Sequence, residues 1–263
     1  MSCEIKNATS SRSDFFGLNS YSWCGNSSYT KSGYNVLTED FANASLPVFF
    51  SEYGCNEVKP RTFTEVQAIY GEEMTQALSG GLVYEYTQED NDYGLVQVND
   101  DGSVNLLVDY ATLQTQFAKL DLNRITSSNV TQTSIQPVEC SPDLISTKGF
   151  LNTFDLPKRL DSIQKMIDNG VDQASGQLVD VTDTKVTQKI TDQNGNAIEG
   201  VELKILSDGQ SNLPGSNTSG SKSGGSGFSN KDATQTGAAG ATVASGMLSM
   251  VGAAVAVALT MAW

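Results

Sequence analysis

One glutamate lies where parallel α/β folds keep their catalytic groups. Glu52 stands near the end of an apolar run at 47–53, and Gly54 follows it. Catalytic side chains in such folds gather at the C-terminal ends of strands. A carboxylate there, with tyrosines close by in the sequence, suits cleavage of a glycosidic bond through a carboxylate nucleophile. The plainer interpretation is a glutamate that faces solvent at a strand end, and the pattern alone does not decide between the two.

The composition removes several other chemistries. The 263 residues include no histidine, which excludes Ser-His-Asp and Cys-His triads and any imidazole ligand. We therefore expect no metal and no cofactor. The 30 acidic and 16 basic residues give a net charge of −14, and nucleic acid is not an expected partner because phosphate binding needs clustered Lys and Arg.

The elements that would position Glu52 alternate between strand and helix. Apolar patterns predict strands at 15–21, 47–53 and 81–86, and helices at 35–44, between 64 and 80, and at 109–120. Thr64 and Gln67 have the spacing of a capping box for the second helix. This alternation predicts βαβ units with a parallel sheet. Because a closed (β/α)₈ barrel needs about 250 residues, the region is either a small open sheet or the end of a larger barrel.

A second pattern follows Cys140. A helix is predicted at 156–169, and a β-hairpin at 185–206 that turns near Asn194 and Gly195. We interpret 122–206 as a small β-rich appendage that packs on the sheet domain. A carbohydrate-binding module is the alternative, but the hairpin has no aromatic platform.

The last part of the chain is predicted to be disordered and then apolar. Gly and Ser make up 11 of the 15 residues at 215–229, which is typical of a flexible linker. The final 17 residues are almost wholly apolar, fewer than the 20 or so that span a bilayer, and no Lys or Arg follows them. With the polar spacer before them, they predict a signal for a glycosylphosphatidylinositol (GPI) anchor, attached near Asn230 with Ser229 as the competitor. A tail-anchored helix is the alternative.

Secretion is indicated by sequons, although residues 1–14 have no secretory signal. Four cysteines fit disulfides without requiring them. The five candidate N-glycosylation sites are Asn7, Asn26, Asn43, Asn129 and Asn217.

Several blocks in order resemble the fungal cell-wall β-1,3-glucanosyltransferases of glycoside hydrolase family 72. They are DFFGLNSYSWCG, SGYNVLTEDF, LPVFFSEYGCNEVKPRTFTEVQAIYG and SGGLVYEYTQEDNDYGLV, within residues 14–120. The resemblance implies a (β/α)₈ TIM barrel and a retaining mechanism on β-1,3-glucan donor and acceptor chains. It makes Glu52 the nucleophile and places Tyr21 and Tyr84 at the donor sugar.

The resemblance also implies what is missing. The family's acid/base glutamate follows an asparagine on an earlier strand, whereas the Asn56-Glu57 pair here follows the nucleophile strand. We therefore expect about three C-terminal strands of the barrel, with no activity of the chain alone. The family pairs cysteines in these blocks, which implies a Cys24–Cys55 disulfide, with Cys3–Cys140 as the second pair.

The predicted organisation has four parts. Residues 1–121 are the C-terminal part of the barrel, 122–206 the appendage, 207–242 the linker and spacer, and 243–263 the GPI signal. This organisation places the protein on the outer face of the cell membrane and in the cell wall. A non-catalytic surface glycoprotein that keeps half a barrel is the alternative function.

Overall fold

The computed structural model describes residues 3–5, 13–121, 123, 125, 135–154, 160–171 and 180–206. They form mixed α/β structure in two compact units. The first is drawn from 1–84 and 127–180, and the second from 85–126 and 181–263. The four-part organisation derived from the sequence stays a prediction.

A parallel sheet of three strands is the centre of the first unit. β1 (Phe16–Ser20), β2 (Val48–Tyr53) and β3 (Gly81–Val83) lie in that order, with β2 between the other two. Val48, Phe50 and Tyr53 of β2 are buried. The predicted order of parallel strands and intervening helices is confirmed for this unit.

One helix lies in each connection between these strands. α1 (Tyr34–Phe41) joins β1 to β2, and α2 (Val66–Ile69) joins β2 to β3. The Tyr34 ring packs against Trp23 and Phe50, with ring centroids 5.2 and 5.1 Å away. Aromatic packing of this kind attaches the helical layer to the sheet.

The second helix is shorter than the apolar stripe predicts. After α2 the chain continues in turns, and a Cβ added at Gly71 would lie 2.1 Å from the carbonyl oxygen of Gln67. A residue with a side chain therefore does not fit at position 71, and the regular helix ends before it. Met74 and Leu78 of the predicted apolar stripe are nevertheless buried. They join the core from the turns that follow α2 and not from a helix.

Two local predictions are wrong. Thr64 does not cap α2: its hydroxyl accepts a hydrogen bond from Trp23 Nε1 (2.9 Å) and donates one to the Gly25 carbonyl (3.2 Å). The cap position is Glu65, which makes no side-chain capping bond. The third strand ends at Val83 rather than at residue 86.

The later part of the first unit is tied to the start of the chain. A Cys3–Cys140 disulfide lies beside a short parallel bridge, in which the Glu4 amide donates to the Val138 carbonyl (2.8 Å) and the Cys140 amide donates to the Glu4 carbonyl (2.9 Å). A 3₁₀ turn covers Pro142–Leu144, and α4 (Asp161–Asn169) bears out the predicted helix within the described residues.

The second unit contains a three-stranded mixed sheet. β4 (Val96–Val98) and β5 (Val104–Leu106) form an antiparallel hairpin, and β6 (Ile190–Thr191) pairs with β5 in parallel. α3 (Val108–Phe117) follows the hairpin, with Tyr110 and Leu113 buried.

The predicted hairpin at 185–206 is formed in the second unit. Antiparallel bridges join Thr191 to Ala197 and Lys185 to Glu202. Its turn is closed by a hydrogen bond from the Asn196 amide to the Asp192 carboxylate (2.8 Å), with Gly195 at a φ of 83°.

Several predictions lie outside the described residues: the start of the predicted helix at 156–159, the linker, and the apolar C-terminal segment from 207 onward. Within the ranges that are described, no helix is both long enough and apolar enough to cross a membrane.

Candidate active site

Glu52 and Tyr21 are in direct contact at the C-terminal ends of β1 and β2. The Tyr21 hydroxyl donates a hydrogen bond of 2.6 Å to Glu52 Oε2, and both side chains are half-buried. Hydrogen bonds to an ionised acceptor are the short and strong ones. The bond therefore fixes one oxygen of the carboxylate and leaves the other for a reaction.

An irregularity in β2 aims Glu52 at this position. Phe50 pairs with Leu18, and Glu52 pairs with the next residue, Asn19, so Ser51 is an extra residue in β2. Phe50 and Tyr53 are both buried although three positions apart, whereas strict alternation would bury Glu52. An extra residue of this kind re-aims the side chains after it, and here it turns the carboxylate away from the core.

Asn19 and Ser51 make a second cross-strand contact at the irregularity. The Ser51 hydroxyl donates to Asn19 Oδ1 at 2.7 Å. This bond joins the two strands one residue before Glu52 and two residues before Tyr21, and so supports their contact.

Tyr84 completes the group from the third strand. It follows β3 directly, and its amide donates to the Tyr53 carbonyl at 2.9 Å. Its ring meets the Tyr21 ring edge to face, with centroids 6.3 Å apart and planes at 84°. The ends of three neighbouring strands thus bring together Glu52, Tyr21 and Tyr84, a carboxylate beside two aromatic rings that can stack on or hydrogen-bond to a sugar.

A disulfide joins the loops that leave β1 and β2. Cys24 and Cys55 are bonded, with Cα atoms 5.1 Å apart. Both predicted pairs are formed: Cys24–Cys55, which the resemblance implied, and Cys3–Cys140, which was the remaining pair. Cys24, Cys55 and Glu57 also bring three potential ligand atoms within 4.8 Å of one another, but sulfurs in a disulfide are not thiolates and do not bind a metal as such.

Residues 1–121 match the glucanosyltransferase family, glycoside hydrolase family 72. A curated relative, the 1,3-beta-glucanosyltransferase gel2 of Aspergillus fumigatus, is 64% identical over 212 residues, which are 80% of this chain and 45% of that protein. Residues 1–121 are therefore similar to the glucanosyltransferases. The chain spans less than half the length of gel2.

More distant members of the glucanosyltransferase family are also similar. The 1,3-beta-glucanosyltransferase GAS2 of Saccharomyces cerevisiae is 47% identical over 133 residues, or 49% of this chain and 24% of that protein. A structure of Saccharomyces cerevisiae Gas2p in complex with laminaritriose and laminaritetraose is 51% identical, covers 42% of this chain and 26% of that one, and has a TM-score of 0.41.

Behind the site, the segment at residues 1–121 buries a carboxyl group that no sequence pattern indicated. Glu65 is 3% exposed, and burial raises its pKa from 4.5 to about 7, while the charge of Arg61 opposes the rise in part. Burial also raises the pKa of Tyr34 and Tyr53, with the charge of Glu65 as a smaller cause. Buried charged residues have no hydropathy signal, so pattern reading could not find them.

Two predicted glycosylation sites of the segment are accessible. Asn26 and Asn43 are exposed. Asn7, Asn129, Asn217 and the predicted anchor site Asn230 lie outside the described residues.

Proposed function

We propose that this chain is part of a β-1,3-glucanosyltransferase that cleaves β-1,3-glucan and joins the released end to another glucan chain. The observation that carries the proposal is the hydrogen bond of 2.6 Å from Tyr21 to Glu52 at the strand ends of a glucanosyltransferase segment. The names of the curated relatives support this reaction. The 64% identity to gel2 supports assigning the same reaction to this chain.

Glu52 is the nucleophile in this proposal. Its free carboxylate oxygen attacks the anomeric carbon of the donor, and a glycosyl ester forms as the glycosidic C–O bond breaks. Tyr21 holds the attacking group in one orientation, which removes orientational freedom before the reaction. Tyr84 bounds the same space and contacts the donor sugar.

A second carboxyl group completes the mechanism. A retaining enzyme places it about 5–5.5 Å from the nucleophile, where it first protonates the leaving oxygen and then takes the proton of the attacking acceptor hydroxyl. A sugar hydroxyl, rather than water, then breaks the ester, and a new glycosidic bond of the original configuration results. We assign this group to a strand that precedes β1 in a longer protein, and expect the present chain to be inactive alone.

The sheet of the first unit is, in this proposal, the last part of a (β/α)₈ barrel. Its parallel order and its helical connections support the assignment, because a barrel repeats this unit. The Glu52 group lies at the C-terminal strand ends, where barrel enzymes keep their catalytic residues.

The test is transfer between laminari-oligosaccharides by the full-length protein. Glu52→Gln should abolish transfer because an amide cannot form the ester, while Glu57→Gln, an exposed carboxylate after the same strand, should leave it unchanged. Near-normal transfer by Glu52→Gln would refute the assignment. Hydrolysis without transfer in the wild-type protein would refute transglycosylation but not the nucleophile.

A GPI anchor on the outer face of the cell membrane is the proposed location. The short apolar end, the polar spacer and the small residues near Asn230 support it. Phosphatidylinositol-specific phospholipase should release the protein from cells. Protein that stays in the membrane and still contains Trp263 by mass spectrometry would instead support the tail-anchored alternative.

A further inference from the structure

Arg61 is a buried cation that the proposed reaction does not use. It is 1% exposed and lies in the connection that follows β2. Arginine is rarely fully buried unless its donors are engaged. What it bonds to therefore indicates why it is there.

The guanidinium joins the ends of the second and third strands. Nη1 donates to the Tyr84 carbonyl at 2.8 Å and to the Gly54 carbonyl at 3.3 Å. The last backbone bond between these strands runs from the Tyr84 amide to the Tyr53 carbonyl at 2.9 Å. Arg61 thus continues the connection between the strands past the point where the backbone ladder stops.

The surroundings hold the guanidinium in one place. Its Cζ lies 4.6 Å from the centroid of the Phe63 ring, a cation–π distance. Gly54 has a φ of 115°, and a Cβ there would lie 3.3 Å from Nη1 and 3.3 Å from the Tyr84 carbonyl oxygen. Backbone and guanidinium therefore meet at close range, and a glycine is required between them.

We propose that Arg61 is a positioning residue that fixes Tyr84 relative to Glu52. Gly54 is two residues after Glu52. One guanidinium therefore restrains both the strand end that carries the nucleophile and Tyr84, which lines the sugar site. It acts through the backbone and does not touch the substrate. This inference rests on the proposed function, because only a reaction at Glu52 makes the spacing matter.

The first arm of the test is a double-mutant cycle in the full-length enzyme. Arg61→Lys keeps the charge but not the planar fork, and we expect kcat/KM for transfer to fall about 30-fold, since small misplacements of reacting groups are costly. In a Tyr84→Phe background, Arg61→Lys should lower kcat/KM only about 3-fold. The contact of the Tyr84 hydroxyl with the sugar, which Arg61 positions, is already lost there. Equal losses in the two backgrounds would overturn the proposal.

Ile69→Val is the matched control for stability. Ile69 is fully buried in α2, outside the strand ends that Arg61 joins. The loss of one methylene in Ile69→Val should lower the melting temperature without changing kcat/KM of the folded enzyme. A fall in kcat/KM with Ile69→Val as large as that with Arg61→Lys would mean that lost stability explains both, and would overturn the positioning role.

The second arm measures amide hydrogen exchange and does not depend on activity. In Arg61→Lys, exchange at the Tyr84 amide should rise on the order of tenfold through local opening, while exchange at the Phe50 amide, bonded to the Gly80 carbonyl at 2.9 Å, stays unchanged. Equal acceleration at both amides would identify a general structural role and overturn the proposal. If the wild type shows no transfer, the proposed function fails, and this arm still decides whether Arg61 fixes the strand ends.

Discussion

Replacement of Glu65 by glutamine measures what a buried carboxylate costs this fold. Burial raises the pKa of Glu65 from 4.5 to about 7. The folded state therefore holds the proton more tightly than the unfolded chain does, and the ionised form is the destabilised one. Stability should increase as the pH falls from 7 toward 4.5, and the full cost should be present above pH 7.

The size of the cost follows from the two pKa values. Each tenfold difference in proton affinity corresponds to about 1.4 kcal/mol, so ionised Glu65 destabilises the folded state by about 3 kcal/mol at pH 8. Glutamine has nearly the same shape and never ionises. Glu65→Gln should therefore be about 2–3 kcal/mol more stable than the wild type at pH 8, and within about 1 kcal/mol of it at pH 5.

Urea unfolding at pH 5 and pH 8 is the assay, followed by the fluorescence of Trp23, which is buried in the same unit. Glu73→Gln removes an exposed carboxylate from the turn after α2 and should change stability little at either pH. If Glu65→Gln and wild type show the same dependence on pH, Glu65 does not titrate with a raised pKa and the reasoning fails.

Three further changes test the strand ends. Tyr21→Phe removes the bond of 2.6 Å to Glu52 and should lower kcat/KM for transfer by about 10- to 100-fold, since a hydrogen bond to a charged group contributes about 1.5–3 kcal/mol; an unchanged rate would mean that the bond does not assist the reaction. Gly54→Ala should lower stability by about 1–3 kcal/mol, seen as a lower melting temperature, because its φ of 115° strains any other residue; an unchanged melting temperature would contradict this. Serine at both Cys24 and Cys55 should cost about 4 kcal/mol in urea unfolding, from a loop closed over 31 residues; a loss below about 1 kcal/mol would show that the loops are held by other contacts.

The sequence was most informative where a pattern repeats over many residues. The three parallel strands, α1 and α3 follow from apolar periodicity, and the hairpin at 185–206 follows from alternation around Asn194 and Gly195. The β4–β5 hairpin was missed although its signal was present: Val96 and Val98 alternate with polar residues, and Gly102 closes a turn at a φ of 78°.

Local signals failed where tertiary contacts compete with them. Thr64 has the spacing of a helix cap, but Trp23 Nε1 and the Gly25 carbonyl engage its hydroxyl. The extra residue in β2 that turns Glu52 out of the core depends on the register with β1, which no property of one strand alone specifies. Arginine is a residue type that usually lies at the surface. Only the assembled strand ends show that Arg61 is buried and bonds to the Gly54 and Tyr84 carbonyls.

The bond between Cys3 and Cys140 has a consequence for damage to the chain. It closes a covalent ring over 137 residues that contains all three strands of the first unit. A protease cut at any single peptide bond inside that ring, such as in the exposed turn at 89–92, opens the ring but releases nothing. The nicked molecule should run as one band without a reductant and as two bands with one. Its two pieces stay tethered through the Cys3–Cys140 bond instead of diffusing apart.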